Sequence, residues 1–146
     1  MRLEVTRSSD LAARALVLLS TSDQRRKGSA LAADLNSTAG YLSQVMTPLV
    51  KAGWVRSSPG PSGGYSLATD LESISVLDLI EAIEGPTDNG QCVLQNRACG
   101  GAGPCTLHEA WSNARTQLVD KLASTPMSSS PAPAVGPDSP NPEATK

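Results

Sequence analysis

The chain has 146 residues, 39% hydrophobic and 3% aromatic, with no phenylalanine and a formal net charge of −2. That length fits one domain of ordinary size with a tail, and a core of Leu, Val, Ile and Ala suits packed helices better than a β-sandwich. No run of about 18 apolar residues is present, so no membrane-spanning helix is expected; Arg7, Asp10 and Arg14 break up the first segment and no small-residue cleavage site follows, so the chain reads as cytoplasmic.

The charge is unevenly spread. Residues 1–56 hold eight Lys/Arg and four acids, a local +4, while the remainder holds four bases and ten acids, a local −6. A basic first third on an acidic chain hints at a polyanionic partner there.

Residues 9–20 predict a first helix, with Leu11, Ala15, Leu18 and Leu19 at helical spacing. Ser8 or Ser9 can cap it and Asp10 sits favourably in its first turn. A polar basic loop follows over 21–28, carrying Arg25, Arg26 and Lys27. Ser29 opens a second helix that ends near Asn36. A third helix over 38–53 presents Leu42, Val45, Met46, Leu49 and Val50 as an apolar stripe, with Gly53 as its stop. Pro48 removes one backbone hydrogen bond inside it, so a kink is expected there.

Residues 54–57 predict a short strand, 59–64 a turn rich in Gly and Pro, and 65–67 a return strand. A fourth helix follows over 75–84, with Val76, Leu79, Ile80 and Ile83 on one face, stopped by Gly85-Pro86. Residues 86–105 lack periodicity, and a loop of that length in a compact domain is usually functional. A fifth helix starts near Thr106 with Leu107, Ala110, Trp111, Ala114, Leu118 and Leu122 as a long stripe, a natural dimer contact. Six of the eleven prolines fall in the last 24 residues, and the segment from 124 onward is expected to be disordered.

Helix, helix, short turn, helix and β-hairpin make a winged helix-turn-helix: a mainly α fold with a small β-hairpin wing and a long dimerisation helix. The expected organisation is a DNA-binding region over 1–70, a linking helix and loop over 71–91, a cysteine loop over 92–105, a dimerisation helix over 106–123 and the tail. The second helix of the pair fits a major groove. Its first turns offer Ser37, Thr38, Gly40, Tyr41, Ser43 and Gln44, of which Gln suits adenine edges and Ser or Thr suits bases or phosphates. Gly60, Ser62 and Gly63 let the wing backbone approach the sugar-phosphate chain. Arg25, Arg26, Lys27 and Arg56 supply a sequence-independent attraction to phosphate.

The cysteines are spaced Cys92-x6-Cys99-x5-Cys105, with His108 next. An odd number of thiols in one loop suits a reducing compartment better than a disulfide framework. Gly100, Gly101 and Gly103 give the loop freedom to wrap a compact inorganic core, and three thiolates with one further ligand suit an iron–sulfur sensor. A Cys3His zinc site, metal-free redox thiols and ordinary cysteines are the competing readings. No catalytic Ser/His/Asp or Cys/His arrangement and no phosphate-cradling loop at a strand–helix junction is present, which argues against an enzyme. An iron–sulfur carrier or assembly protein is the alternative from another class.

The opening MRL, the stretch Tyr41-Leu42-Ser43-Gln44, the wing GPSGGYSL over 60–67 and the three cysteines ending in CTLHEAW over 105–111 together resemble the IscR/NsrR family of iron–sulfur winged-helix regulators. The resemblance covers about residues 1–125. It implies a homodimer joined through the fifth helix, a palindromic double-stranded operator, and a cluster whose state sets DNA affinity in response to nitric oxide, oxidants or iron–sulfur status. IscR-like members bind a [2Fe–2S] cluster with three Cys and a His at the place of His108. NsrR-like members bind a [4Fe–4S] cluster with three Cys and an Asp from the other subunit, at the place of Asp10. The resemblance leans slightly to Asp10 and [4Fe–4S]. The chain departs from IscR-like sequences in its six-residue first Cys gap, in Pro59 where an Arg is usual, and in Ser43 where an acid is usual.

Overall fold

The computed structural model describes residues 4–94, 98 and 103–132. Helix α1 (Arg7–Ser20) is followed by α2 (Gly28–Asp34), α3 (Ala39–Lys51), strands β1 (Val55–Ser58) and β2 (Gly64–Leu67), α4 (Val76–Glu84) and α5 (His108–Ala123), with short 3-10 turns at Leu71–Ser73 and Met127–Ser129. The mainly α fold with a two-stranded wing agrees with the reading of the sequence.

The core forms where α1, α2 and α3 turn their apolar stripes inward. Leu16, Leu19, Leu31, Leu35, Leu42, Met46 and Leu49 are all essentially sealed from solvent, and at about 1.5–3 kcal/mol for each large apolar side chain this burial dominates the stability of the DNA-binding half. Asn36 makes the bend between α2 and α3 in the left-handed region, φ 52°, which Asn tolerates better than most residues. Thr38 caps α3 by accepting from the Tyr41 amide, and the helix runs on through Pro48 to Lys51.

The cap of α1 differs from expectation. Thr6, not Ser8 or Ser9, is the N-cap, accepting from the Ser9 amide. Ser9 is instead buried and its hydroxyl donates to Glu84. α4 begins with a full capping box, Ser75 and Asp78 each satisfying the other's backbone amide.

β1 and β2 pair antiparallel with Val55 opposite Leu67 and Ser58 opposite Gly64. A third backbone segment joins them: Arg26 and Tyr65 exchange two backbone hydrogen bonds of 2.8 Å. This closeness requires Gly64, whose φ is +144° and where a Cβ would lie 2.2 Å from the Arg26 carbonyl oxygen.

The expected disorder from residue 124 is corrected for 124–132. Val76 N donates to Thr125 O and Met127 N to Ile74 O, both at 2.8 Å, and Met127 is 1% exposed in the core. One buried Met and a backbone pairing with the start of α4 outweigh the Pro/Ser composition of this stretch. The rest of the predicted tail, 133–146, lies outside the described residues, as does Cys99.

Candidate nucleic-acid interface and cysteine site

The expected DNA-contacting residues are spread over α3 and the turn before it, the basic loop and the wing. On α3, Leu42, Val45, Met46 and Leu49 face the core, leaving Gly40, Ser43 and Gln44 exposed. Thr47 shares that outer face at i+4 from Ser43 and i+3 from Gln44, and is exposed; its hydroxyl donates to the Ser43 carbonyl at 2.9 Å. Sequence reasoning passed over Thr47, although the same helical period exposes it. Thr38 is exposed but its hydroxyl is committed to the α3 cap. Ser37 is half-buried in the turn. Tyr41 is also half-buried, and its phenol oxygen shares a 2.9 Å hydrogen bond with Ser8 Oγ of α1.

The basic loop packs against the wing. Arg25 reaches the Ser62 carbonyl at 3.4 Å, and Lys27 lines a groove with Gly60, Gly63 and Ser57 of the wing. Gly63 has no room for a side chain, because a Cβ would sit 2.1 Å from the Ser58 carbonyl oxygen. Arg56 is exposed on β1. Arg26 behaves differently from the expectation of a phosphate-facing charge: its guanidinium is paired with Asp34 of α2, so that positive charge is locally balanced.

The cysteine site is built where Asp88, Gly90, Gln91, Cys92 and Val93 meet Cys105 and the first turns of α5. Cys92 is buried and Cys105 half-buried, with their Sγ atoms 3.6 Å apart. They line a cavity of about 190 Å³ together with His108, Trp111, Arg115 and Asp88. Arg115 Nη1 and Asp88 Oδ1, 3.1 Å apart, pair across its edge. His108 is exposed at the first residue of α5, its amide bonded to the Cys105 carbonyl. Asp10 does not line this cavity; it is exposed in the first turn of α1, 3.8 Å from Arg14. Among the described residues no three His, Cys, Asp or Glu side chains are gathered closely enough to hold a metal ion, and Cys99 lies outside them.

The spacing of Cys92 and Cys105 suits two thiolates on a single metal. Two thiolates on one tetrahedral metal, with bonds of about 2.3 Å, stand roughly 3.8 Å apart, close to the 3.6 Å between Cys92 and Cys105. A disulfide would need the sulfurs to close to about 2.05 Å.

Glu84, which the sequence did not single out, joins the end of α4 to the start of α1. Its Oε1 accepts from the Thr6 amide at 2.9 Å and from the Ser9 hydroxyl. Partial desolvation pushes the Glu84 carboxyl up, but the hydrogen bonds from Ser9 and Thr6 outweigh it and hold the group below its ordinary value.

A three-helix unit with a Gly-rich wing and an exposed polar face on its third helix defines the class of winged helix-turn-helix DNA-binding proteins. The comparisons narrow the class. The family described as "Rrf2: Iron-dependent Transcriptional regulator" matches residues 5–129, and the chain belongs to that family. A protein of Neisseria meningitidis serogroup A named as an HTH-type transcriptional regulator is 36% identical over 103 residues, 70% of this chain and 69% of that protein. The HTH-type transcriptional regulator IscR of Vibrio campbellii is 36% identical over 83 residues, 56% of this chain and 48% of IscR, so the match spans about half of that relative. Among solved structures, CymR, the global cysteine regulator of B. subtilis, superposes with a TM-score of 0.69 at 24% identity, covering 87% of this chain and 95% of CymR, a likeness of fold. The chain is therefore an HTH-type transcriptional regulator rather than an enzyme. No described helix is long and apolar enough to cross a membrane.

Proposed function

We propose that this chain is a homodimeric transcriptional repressor whose 92–105 loop holds an iron–sulfur cluster, and that the state of the cluster sets its affinity for a palindromic double-stranded operator. The observation that carries the reading is the pair of thiols facing a cavity that also includes His108. Their 3.6 Å spacing suits two thiolates on one iron, as in a [2Fe–2S] cluster, whereas a [4Fe–4S] cluster, with one Cys on each iron, requires them to move apart. Cys92, Cys99 and Cys105 would hold the cluster. The fourth ligand is Asp10 donated by a second subunit, with a [4Fe–4S] cluster, or His108 of the same chain, with a [2Fe–2S] cluster. Asp10 is exposed and clear of its own chain's cavity, as a ligand given to a neighbour has to be. When bound, such a cluster supplies a centre that nitric oxide or oxidants attack, and the protein's part is to convert that damage into a change of loop shape.

The DNA face comprises Gly40, Ser43 and Gln44 with the N-terminal Ser37, Thr38 and Tyr41 toward the major groove. Arg25, Lys27 and Arg56 act toward phosphates, Arg26 being held by Asp34, and Gly60, Ser62 and Gly63 bring the wing close to the backbone. Dimerisation is supported by α5. None of its residues is buried in the single chain. One stripe, Trp111, Arg115, Val119 and Leu122, is half-buried, while Leu107, Ala110, Ala114 and Leu118 on the adjoining face stay exposed. A long helix with an uncovered apolar stripe gains by pairing with a copy of itself.

The test is binding of labelled promoter DNA by protein purified without air, before and after nitric oxide or oxygen, over a range of salt. The reading expects a sequence-selective, salt-sensitive complex whose affinity changes with exposure. A chain that binds equally in both states is not a cluster sensor. One that shows no selective binding in either state favours an iron–sulfur carrier. The second reading, a thiol-based or zinc-site regulator of the same fold, rests on the same close pair; it expects a colourless protein that responds to peroxide or to zinc chelation.

A further inference from the structure

The start of α1 is tied at once to the base of the cysteine loop and to the recognition helix. Glu84, the last residue of α4 before the loop, accepts from the Thr6 amide at 2.9 Å and from Ser9 Oγ. One residue away, Ser8 Oγ shares a 2.9 Å hydrogen bond with the Tyr41 hydroxyl, in the first turn of α3. Ser9 is buried and Ser8 and Tyr41 are half-buried. Glu84 and its bond from the Thr6 amide are exposed, but the Ser9–Glu84 and Ser8–Tyr41 bonds are part-buried and are the costlier to leave unmade. The α1 turn between them, closed by Thr6 over the Ser9 amide at 3.2 Å, is short and helical, so a shift at one end moves the other. The same turn carries Asp10.

We infer that Glu84, Ser9, Ser8 and Tyr41 form a mechanical link from the cysteine loop to the recognition helix, with Glu84 and Ser8 as positioning residues. The link rests on the proposed reading in one respect: the signal that it carries is the state of the loop. Displacement of the loop pulls on the Glu84 carboxylate, Glu84 pulls on the first turn of α1, and Ser8 passes the movement to Tyr41 and so to the register of α3 in the groove. The route is a contiguous chain of named hydrogen bonds, which makes it open to deletion bond by bond.

Hydrogen exchange on the full chain, followed by mass spectrometry, tests it. Removing the acceptor with Glu84→Ala is expected to speed exchange about fivefold over residues 7–12 and also over 39–44, the scale of losing a hydrogen bond of about 1 kcal/mol. Glu84→Gln keeps an acceptor oxygen and is expected to restore most of the protection. In the double variant Ser8→Ala/Glu84→Ala the segment 39–44 is expected to respond no more than in Ser8→Ala alone. Exchange at 39–44 that ignores Glu84→Ala, or that still responds once Ser8 is gone, overturns the link. Should Glu84→Ala fail to fold, Ser8→Ala alone decides. It is expected to keep its visible absorbance and thermal midpoint while the affinity ratio for promoter DNA between as-purified and chelator-stripped protein moves severalfold toward 1; an unmoved ratio overturns the link. A wild-type ratio of 1 sinks the cluster-sensing reading instead, and the exchange experiment still decides the link.

Discussion

The wing half and the cysteine half of this chain are built on opposite terms. The wing half closes on itself. α1, α2 and α3 seal a core of leucines and Met46, the Arg26–Tyr65 backbone pair locks the hairpin to the basic loop, and Gly63 and Gly64 sit where any side chain would strike a carbonyl oxygen. The cysteine half leaves its groups open. α5 buries no residue of its own, Val93, Leu94 and Leu107 are exposed, and the thiols converge on a cavity rather than on packed neighbours. A reader of DNA needs a rigid surface whose shape precedes binding. A sensor needs a region whose low local stability lets a small chemical event change its form. The contrast accords with the proposed reading, in which the first half reads DNA and the second senses.

If the two halves are separable in this way, the largest effect belongs to the thiols. Cys105→Ala is expected to abolish cluster loading, seen as loss of visible absorbance in protein made without air. It should also remove the state dependence of DNA binding, a coupling of the order of 5- to 150-fold in ordinary allosteric proteins. The far-ultraviolet circular dichroism should stay that of the wild type. A variant that unfolds would mean that the cysteine half carries the fold after all.

Met127→Ala is next. Met127 is sealed in the core beside the 3-10 turn at Leu71–Ser73, and truncating a buried Met costs about 2–5 kcal/mol. A denaturant melt that moves by less than about 1 kcal/mol would return residues 124–132 to the status of a loose tail.

Gly64→Ala breaks the other side of the comparison. The strained φ and the 2.2 Å approach to Arg26 O predict a loss of more than about 1 kcal/mol, together with weaker promoter binding and unchanged absorbance. Equal weakening of the absorbance would show that the halves are not separable.

The smallest effect is with pH. The Glu84 carboxyl is held below its ordinary value, so its contribution to stability is present above the unfolded carboxylate pKa and fades as pH falls through the lower folded one. Wild type minus Glu84→Gln should therefore shrink toward acid. Solvent screening at this exposed side chain keeps the difference to at most about 1 kcal/mol. A difference that grows toward acid would contradict the bonding described for Glu84.

Much of the wing half could be read from the sequence, because its signals are periodic and local. The stripe Leu42, Val45, Met46, Leu49 marks the core face of α3, and the Gly/Pro turn after Trp54 marks a hairpin. The pairing of Arg26 with Tyr65 is a single bridge between residues far apart in sequence and leaves no period to detect. Met127 was hidden by the prolines and serines around it, since composition reports what a segment is made of and not what it meets. Glu84 looked like the exposed end of an amphipathic helix; its role depends on Thr6 and Ser9, more than seventy residues earlier. In the cysteine half the residue types of Cys92 and Cys105 named the chemistry, but their 3.6 Å approach and the Asp88–Arg115 pair beside them come only from the way the loop returns to α5.

The most direct test of the account is a native mass spectrum of the full chain purified without air. The account predicts a dimer carrying the iron and sulfide mass of one cluster on each chain, [4Fe–4S] when Asp10 is the fourth ligand and [2Fe–2S] when His108 is, with that mass lost on exposure to nitric oxide. A metal-free chain, or one zinc ion per chain, would contradict it.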